Sequence, residues 1–286
     1  VQFINRTTLP NKPKDKRKRD YEKLNIEEKE SYRWIQSANE SQPVFCEADS
    51  VTLIGDREND IYQFLDRAPN EKVNILVRAS YNRNLENGTK VYDALNDDLE
   101  LGSMKIDLPR DIRQNRKKRR ATLSIKSKEI ELKLAYGCND ENASKSIKLT
   151  LVEVKEKNIT KKNIDKPICW RLYTTHKANT LEEARQVVAW YKQRWNIEQI
   201  FRITKNQGFN VESSQVENVE NLIKVIIMTL LASIKVMQLV SARNGDTKQK
   251  TSDLFDESER SLISLLVKKY EGKTKIQKNP FKPENL

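Results

Sequence analysis

Residues Tyr191 to Lys205 read YKQRWNIEQIFRITK. Five polar side chains recur in this stretch at intervals of 3, 4, 4 and 3: Tyr191, Arg194, Glu198, Arg202 and Lys205. On a helix turning about 100° per residue, all five fall within an arc of about 80°. The apolar Val188, Ile197 and Ile200 lie elsewhere around the same helix. One carboxylate therefore stands among three cations and a phenol. Such a stripe can be a solvated face laced with i,i+4 ion pairs. It can also be a site where the carboxylate holds a divalent cation and the cations hold phosphates. Thr180, with Glu183 three positions later, forms a capping box that starts the helix. The predicted helix runs from Leu181 to about Gln207, and Gly208 stops it.

Working outward, Pro167–Thr175 (PICWRLYTT) has the texture of a buried strand and carries Trp170. Ser50–Asp56 (SVTLIGD) and Lys72–Arg78 (KVNILVR) are two further apolar runs of strand length. Asp56 and Arg78 end them, and ligands of open α/β sheets bind beyond the carboxyl ends of strands. Asp56 can equally be the N-cap of the next helix, Arg78 a surface cation, and Trp170 a core aromatic. Asp60–Leu65 reads as a helix start. Between 80 and 165 the pattern alternates, as in Leu123 and Ile125, then Ile130, Leu132 and Leu134, which predicts an exposed antiparallel β insertion. It contains the basic run Arg116–Arg120, suited to DNA phosphates.

A helix is expected near Glu27–Ala38, preceded by a charged linker with a second basic run, Lys12–Arg19. Downstream, a long helix covers about Val219–Ala242 and a shorter one Ser252–Lys269, followed by a basic tail. The apolar residues of the long helix go nearly all round, which suits a core helix. Its uncharged run between Lys224 and Lys235 is shorter than a bilayer span requires.

Composition limits the chemistry. The 286 residues include 53 Lys+Arg against 41 Asp+Glu, a formal net charge of +12. That balance points first to nucleic acid. Three Cys and a single His exclude a disulfide framework, a zinc finger and a His-rich metal site. Any metal would be held by carboxylates, which suits Mg²⁺. No apolar leader opens the chain, so a cytoplasmic, DNA-associated protein with no membrane partner is expected.

The spacing Y-x₂-R-x₃-E-x₆-K at Tyr191, Arg194, Glu198 and Lys205 resembles the signature of cut-and-paste insertion-sequence transposases with a DDE triad. GDREND, starting at Gly55, is similar to that family's second-aspartate block and LVRAS to its next strand, and EKESYRWI also resembles the family. The resemblance implies a ribonuclease-H-like α/β fold: a mixed sheet with flanking helices, a β-rich insertion and a C-terminal helical region. It divides the chain into catalytic core at 1–79 and 166–242, insertion at 80–165, and a helical dimerisation segment with a basic tail at 243–286. It makes Asp56 and Glu198 the metal-binding, catalytic carboxylates of a two-metal Mg²⁺ (or Mn²⁺) site. Arg78, Trp170, Tyr191, Arg194, Arg202 and Lys205 become DNA contacts, with Trp170 stacking on a flipped base. The implied activity is metal-dependent hydrolysis and strand transfer on double-stranded DNA by a homodimer.

The family's first Asp ends an early strand. Before Asp56 this sequence offers only Asp15, Asp20 and Asp49, none of which ends an apolar run. The expectation is an N-terminally truncated transposase fragment, lacking its DNA-binding N-terminus, its first strands and its first catalytic Asp, so that the chain does not cut DNA. A non-catalytic DNA-binding protein using the basic surface is the alternative.

Overall fold

The β-branched runs form strands. In chain order these are β1 (Val51–Gly55), β2 (Val73–Arg78), β3 (Gly102–Leu108), β4 (Arg119–Lys133), β5 (Ser146–Glu156) and β6 (Cys169–Thr174). The computed structural model describes residues 24–108, 118–135, 138, 140–157, 167–205, 208–243, 250–270 and 272–274. The run Lys12–Arg19, residues 116 and 117 of the second basic run, and the basic tail from 275 onward lie outside the described residues. The six strands make one mixed sheet in the order β1-β2-β6-β5-β4-β3. β1 and β2 pair in parallel, from Val51 with Val73 to Gly55 with Val77, and every other pairing is antiparallel. This mixed α/β sheet with flanking helices agrees with the ribonuclease-H-like class expected.

The chain divides into two compact units, Val1–Arg194 and Trp195–Leu286. In the first, α1 (Tyr32–Ser41) and α2 (Tyr62–Arg67) cover one face of the sheet, and α3 (Leu181–Gln193) covers the other. Side chains alternate between the faces. Ile75, Val77 and Tyr173 therefore join the α1/α2 core, while Leu76 and Leu172 join Val187 and Val188 of α3. Full burial of each of those valines contributes about 1.5–3 kcal/mol.

The insertion strands correct one expectation. They are not an exposed sheet but an extension of the same sheet, buried on opposite faces in opposite halves. Leu123 and Ile125 of β4 face the α3 core, while Ile130 and Leu132 face the α1/α2 core. The odd-to-even shift along one straight strand produces this, and β5 repeats it with Leu149 and Leu151 on one face and Val152 and Val154 on the other.

The capping box forms. Thr180 Oγ accepts from Glu183 N at 3.3 Å, and the Glu183 carboxylate accepts from Thr180 N at 3.0 Å. That backbone donor holds the Glu183 carboxyl below its usual pKa. The helix then ends earlier than predicted. Arg194 N donates to Tyr191 O at 3.1 Å, an i→i−3 bond that tightens the last turn. A separate helix, α4 (Trp195–Thr204), begins the second unit. The five-residue stripe is thus shared between two helices.

The second unit continues with α5 (Val219–Arg243), α6 (Thr251–Leu254) and α7 (Glu257–Tyr270). Thr204 and Ser233 hydroxyls meet at 3.2 Å, both buried, and fasten α4 to α5. Gly208 leaves room that a side chain would fill: a Cβ there would lie 2.6 Å from Ile203 O. The left-handed residue of this turn is Asn210, with φ 48°. The core role expected for the long helix is not what its exposure shows. Met228 and Leu231 of α5 are 69% and 61% exposed, because they lie away from the α4 contact. By length and composition alone, Val219–Ala242 is long and apolar enough to cross a membrane, despite its two lysines.

Candidate functional site

Gly55 and Asp56 turn the chain out of β1. A Cβ on Gly55 would lie 2.6 Å from Asn59 Cβ, so glycine lets the turn Arg57–Asn59 fold back on the strand end. Asp56 Oδ1 accepts from Glu58 N at 2.8 Å, the N-cap geometry that the sequence allowed. Its Oδ2 lies 4.0 Å from Arg194 Nη1, at the end of α3. The Asp56 side chain is 46% exposed, so this pair is solvated and weak.

Arg78 ends β2 at the same end of the sheet, because β1 and β2 run parallel. β6 runs antiparallel to β2, so its first residues, Cys169 and Trp170, arrive there too. Arg78 Nη2 donates to Cys169 O at 3.3 Å. Period-two alternation puts Asp56 in step with Ile54, Arg78 with Leu76, and Trp170 with Leu172, all on the α3 face. Tyr191 of α3 completes the group. It is buried, and its ring meets Trp170 edge to face at 5.6 Å and 61°. Trp170 itself is half-buried.

One end of the sheet therefore gathers five of the eight residues singled out in the sequence: Asp56, Arg78, Trp170, Tyr191 and Arg194. The other three belong to the second unit. Glu198 is half-buried in the first turn of α4, and Arg202 is exposed in its last turn. Lys205 follows the helix and pairs with Glu212 at 2.7 Å, with both side chains at least half exposed. Glu198, Arg202 and Lys205 keep the i, i+4, i+7 spacing of one helical face.

A two-metal site needs several carboxylates around the ions. Among the described residues, no three His, Cys, Asp or Glu side chains come together as a metal would require. Asp56 is engaged by a backbone amide and faces a guanidinium. Among the described residues of the first unit, Asp56 therefore has no second and third carboxylate beside it.

Part of the basic run serves structure. Arg119 forms a bidentate pair with Glu156, whose side chain is 2% exposed, and Arg120 pairs with Asp107 at 3.2 Å. Donating hydrogen bonds to the Glu156 carboxylate raises the Arg119 pKa above its usual value.

Sequence reasoning missed Asp60. Its carboxylate does not cap α2, whose N-cap is Ile61. It turns inward, fully buried, and binds Arg83 and the backbone just after Arg78. The only signal was its place in GDREND, where an Asp before an apolar helix reads as a cap.

One comparison with known proteins bears on this arrangement. Residues 28–234 match a family model described as "Transposase DDE domain", and that span includes all eight candidate residues.

Proposed function

The chain belongs to the DDE-domain transposase family, and from that premise we propose that it binds double-stranded DNA at transposon ends through the end of the sheet that carries Arg78. The observation that supports this most is the gathering of Asp56, Arg78, Trp170 and Arg194 beyond the carboxyl ends of the parallel strands. Arg78 and Arg194 would hold backbone phosphates, and the half-buried Trp170, backed by Tyr191, would stack on an unstacked base. Arg202 and Lys205 would extend the phosphate contacts. Asp56 and Glu198 would be two of the three carboxylates of a cut-and-paste hydrolysis and strand-transfer site that needs a further Asp. A bound divalent ion, Mg²⁺ or Mn²⁺, would supply charge stabilisation to such chemistry.

The proposed domains are a core at 1–79 and 166–242, an insertion at 80–165 and a C-terminal segment at 243–286. Leu262 and Leu265 are 57% and 64% exposed on α7, which supports pairing of two copies in the active complex. The protein would act in the cytoplasm, on DNA.

Binding should weaken steeply with salt. Arg78→Ala should lower the affinity for duplex DNA and reduce the slope of log K against log salt by about one. A salt-independent affinity, or one indifferent to Arg78→Ala, would count against the proposal.

We also propose that the 286-residue chain binds DNA without cutting it, because no Asp before Asp56 ends an apolar run. Supercoiled plasmid carrying the sequences that flank its gene should stay intact with Mg²⁺ present. Nicking that depends on Mg²⁺ and disappears in Glu198→Gln would overturn this and establish the catalytic role of Glu198.

A further inference from the structure

Tyr81 lies three residues beyond Arg78, and 61% of it is exposed. The backbone from Ala79 to Tyr81 is held by hydrogen bonds at each residue. Asp60, with a side chain 0% exposed, accepts from Ser80 N at 2.6 Å and from Tyr81 N at 2.9 Å. The same carboxylate accepts from Arg83 Nε at 3.0 Å and Nη2 at 2.8 Å. Arg83 Nη2 also donates to Asp60 O at 2.7 Å. Tyr92 Oη donates to Ser80 O at 3.0 Å, and Ala79 N donates to Arg171 O at 2.8 Å. The Arg83 guanidinium sits 5.2 Å from the Tyr81 ring centroid. A buried ion pair and several further hydrogen bonds thus hold a loop that exposes one large ring.

A ring fixed in place loses little entropy on binding, which is what a stacking surface needs. The end of the sheet beside it carries Arg78 and Trp170, so a polyanion with flat rings fits the neighbourhood by charge and shape. We propose that Tyr81 stacks on a nucleobase of DNA held at this end of the sheet, with Asp60 and Arg83 as its positioning residues. The inference rests on the proposed DNA-binding function. It adds a second aromatic contact, on a different loop from Trp170.

The test uses the full chain and a short DNA duplex with a single-stranded overhang, followed by fluorescence anisotropy over a salt series. Tyr81→Ala should weaken binding about tenfold. It should leave the salt slope unchanged, because stacking releases no counterions. Tyr81→Trp should restore the affinity, and thermal unfolding of both variants should match that of the unaltered protein. Unchanged affinity in Tyr81→Ala, or a loss that Tyr81→Trp does not recover, would overturn the inference. A salt slope reduced by about one would also overturn it, by assigning the contact to a phosphate held by Arg83. If the unaltered protein binds and Arg78→Ala weakens it while Tyr81→Ala does not, only the stacking role falls. If the unaltered protein does not bind, the DNA reading falls and takes this inference with it.

Discussion

Asp60→Ala is expected to destabilise the first unit by about 3–5 kcal/mol, because removing one partner of a buried ion pair strands the other. Asp60 is fully buried, and Arg83 is 12% exposed. The substitution leaves the Arg83 guanidinium without its carboxylate and removes the acceptor from two backbone amides. The Tyr173 hydroxyl is buried in the same neighbourhood with no hydrogen-bond partner among the described residues. Burial, and secondarily the charge of Asp60, raises its pKa well above the usual phenol value. Tyr173 stays a neutral phenol and cannot replace the lost negative charge. Urea unfolding followed by circular dichroism measures the loss. A shift under about 1 kcal/mol would mean that the pair behaves as a solvated surface bridge.

The second large effect concerns Glu156. It ties three segments together: Arg119 at the start of β4, the end of β5, and the chain entering β6. Arg119 Nη2 reaches Glu156 Oε2 at 3.0 Å, and Ile168 N donates to the same oxygen at 3.1 Å. Two residues further on is Trp170, so this pair also sets the approach to the candidate site. Glu156→Ala should cost about 3–5 kcal/mol, because it too strands a buried charge. The double change Arg119→Met with Glu156→Leu should recover much of that loss, since apolar groups can replace a buried pair at little cost. A double-mutant cycle in urea measures both effects. A double variant as unstable as Glu156→Ala would show that the backbone bond at Ile168, not the ion pair, carries the stability.

Local signals made part of this structure legible. SVTLIGD and KVNILVR read as strands nearly to the residue, because a short β-branched run bounded by polar residues has few other solutions. The Thr180–Glu183 capping box was equally local. β3 carries a local signal as well: Met104, Ile106 and Leu108 alternate with Lys105 and Asp107, the period-two pattern of an edge strand of which only Ile106 is buried. Non-local features were not readable. The turn at Arg194 depends on one i→i−3 bond inside a sequence with unbroken helical propensity. Asp60 is polar in sequence and interior in space because Arg83, 23 residues later, comes to meet it. At the site, Asp56, Arg78 and Trp170 could be named from their strand ends. Their convergence depends on the parallel β1/β2 pair and the antiparallel β6, which no local pattern specifies.

If DNA binds at one end of this sheet, the two ends of each strand should respond differently to it. Amide hydrogen exchange on the full chain, with and without duplex DNA, therefore carries its own internal control. Exchange should slow at Gly55–Asp60, at Arg78–Arg83 and at Ile168–Arg171, with no change at Ser50–Val51, Lys72–Val73 or Thr175–Lys177. Protection confined to the opposite end, or spread equally over both, would contradict binding at the Arg78 end.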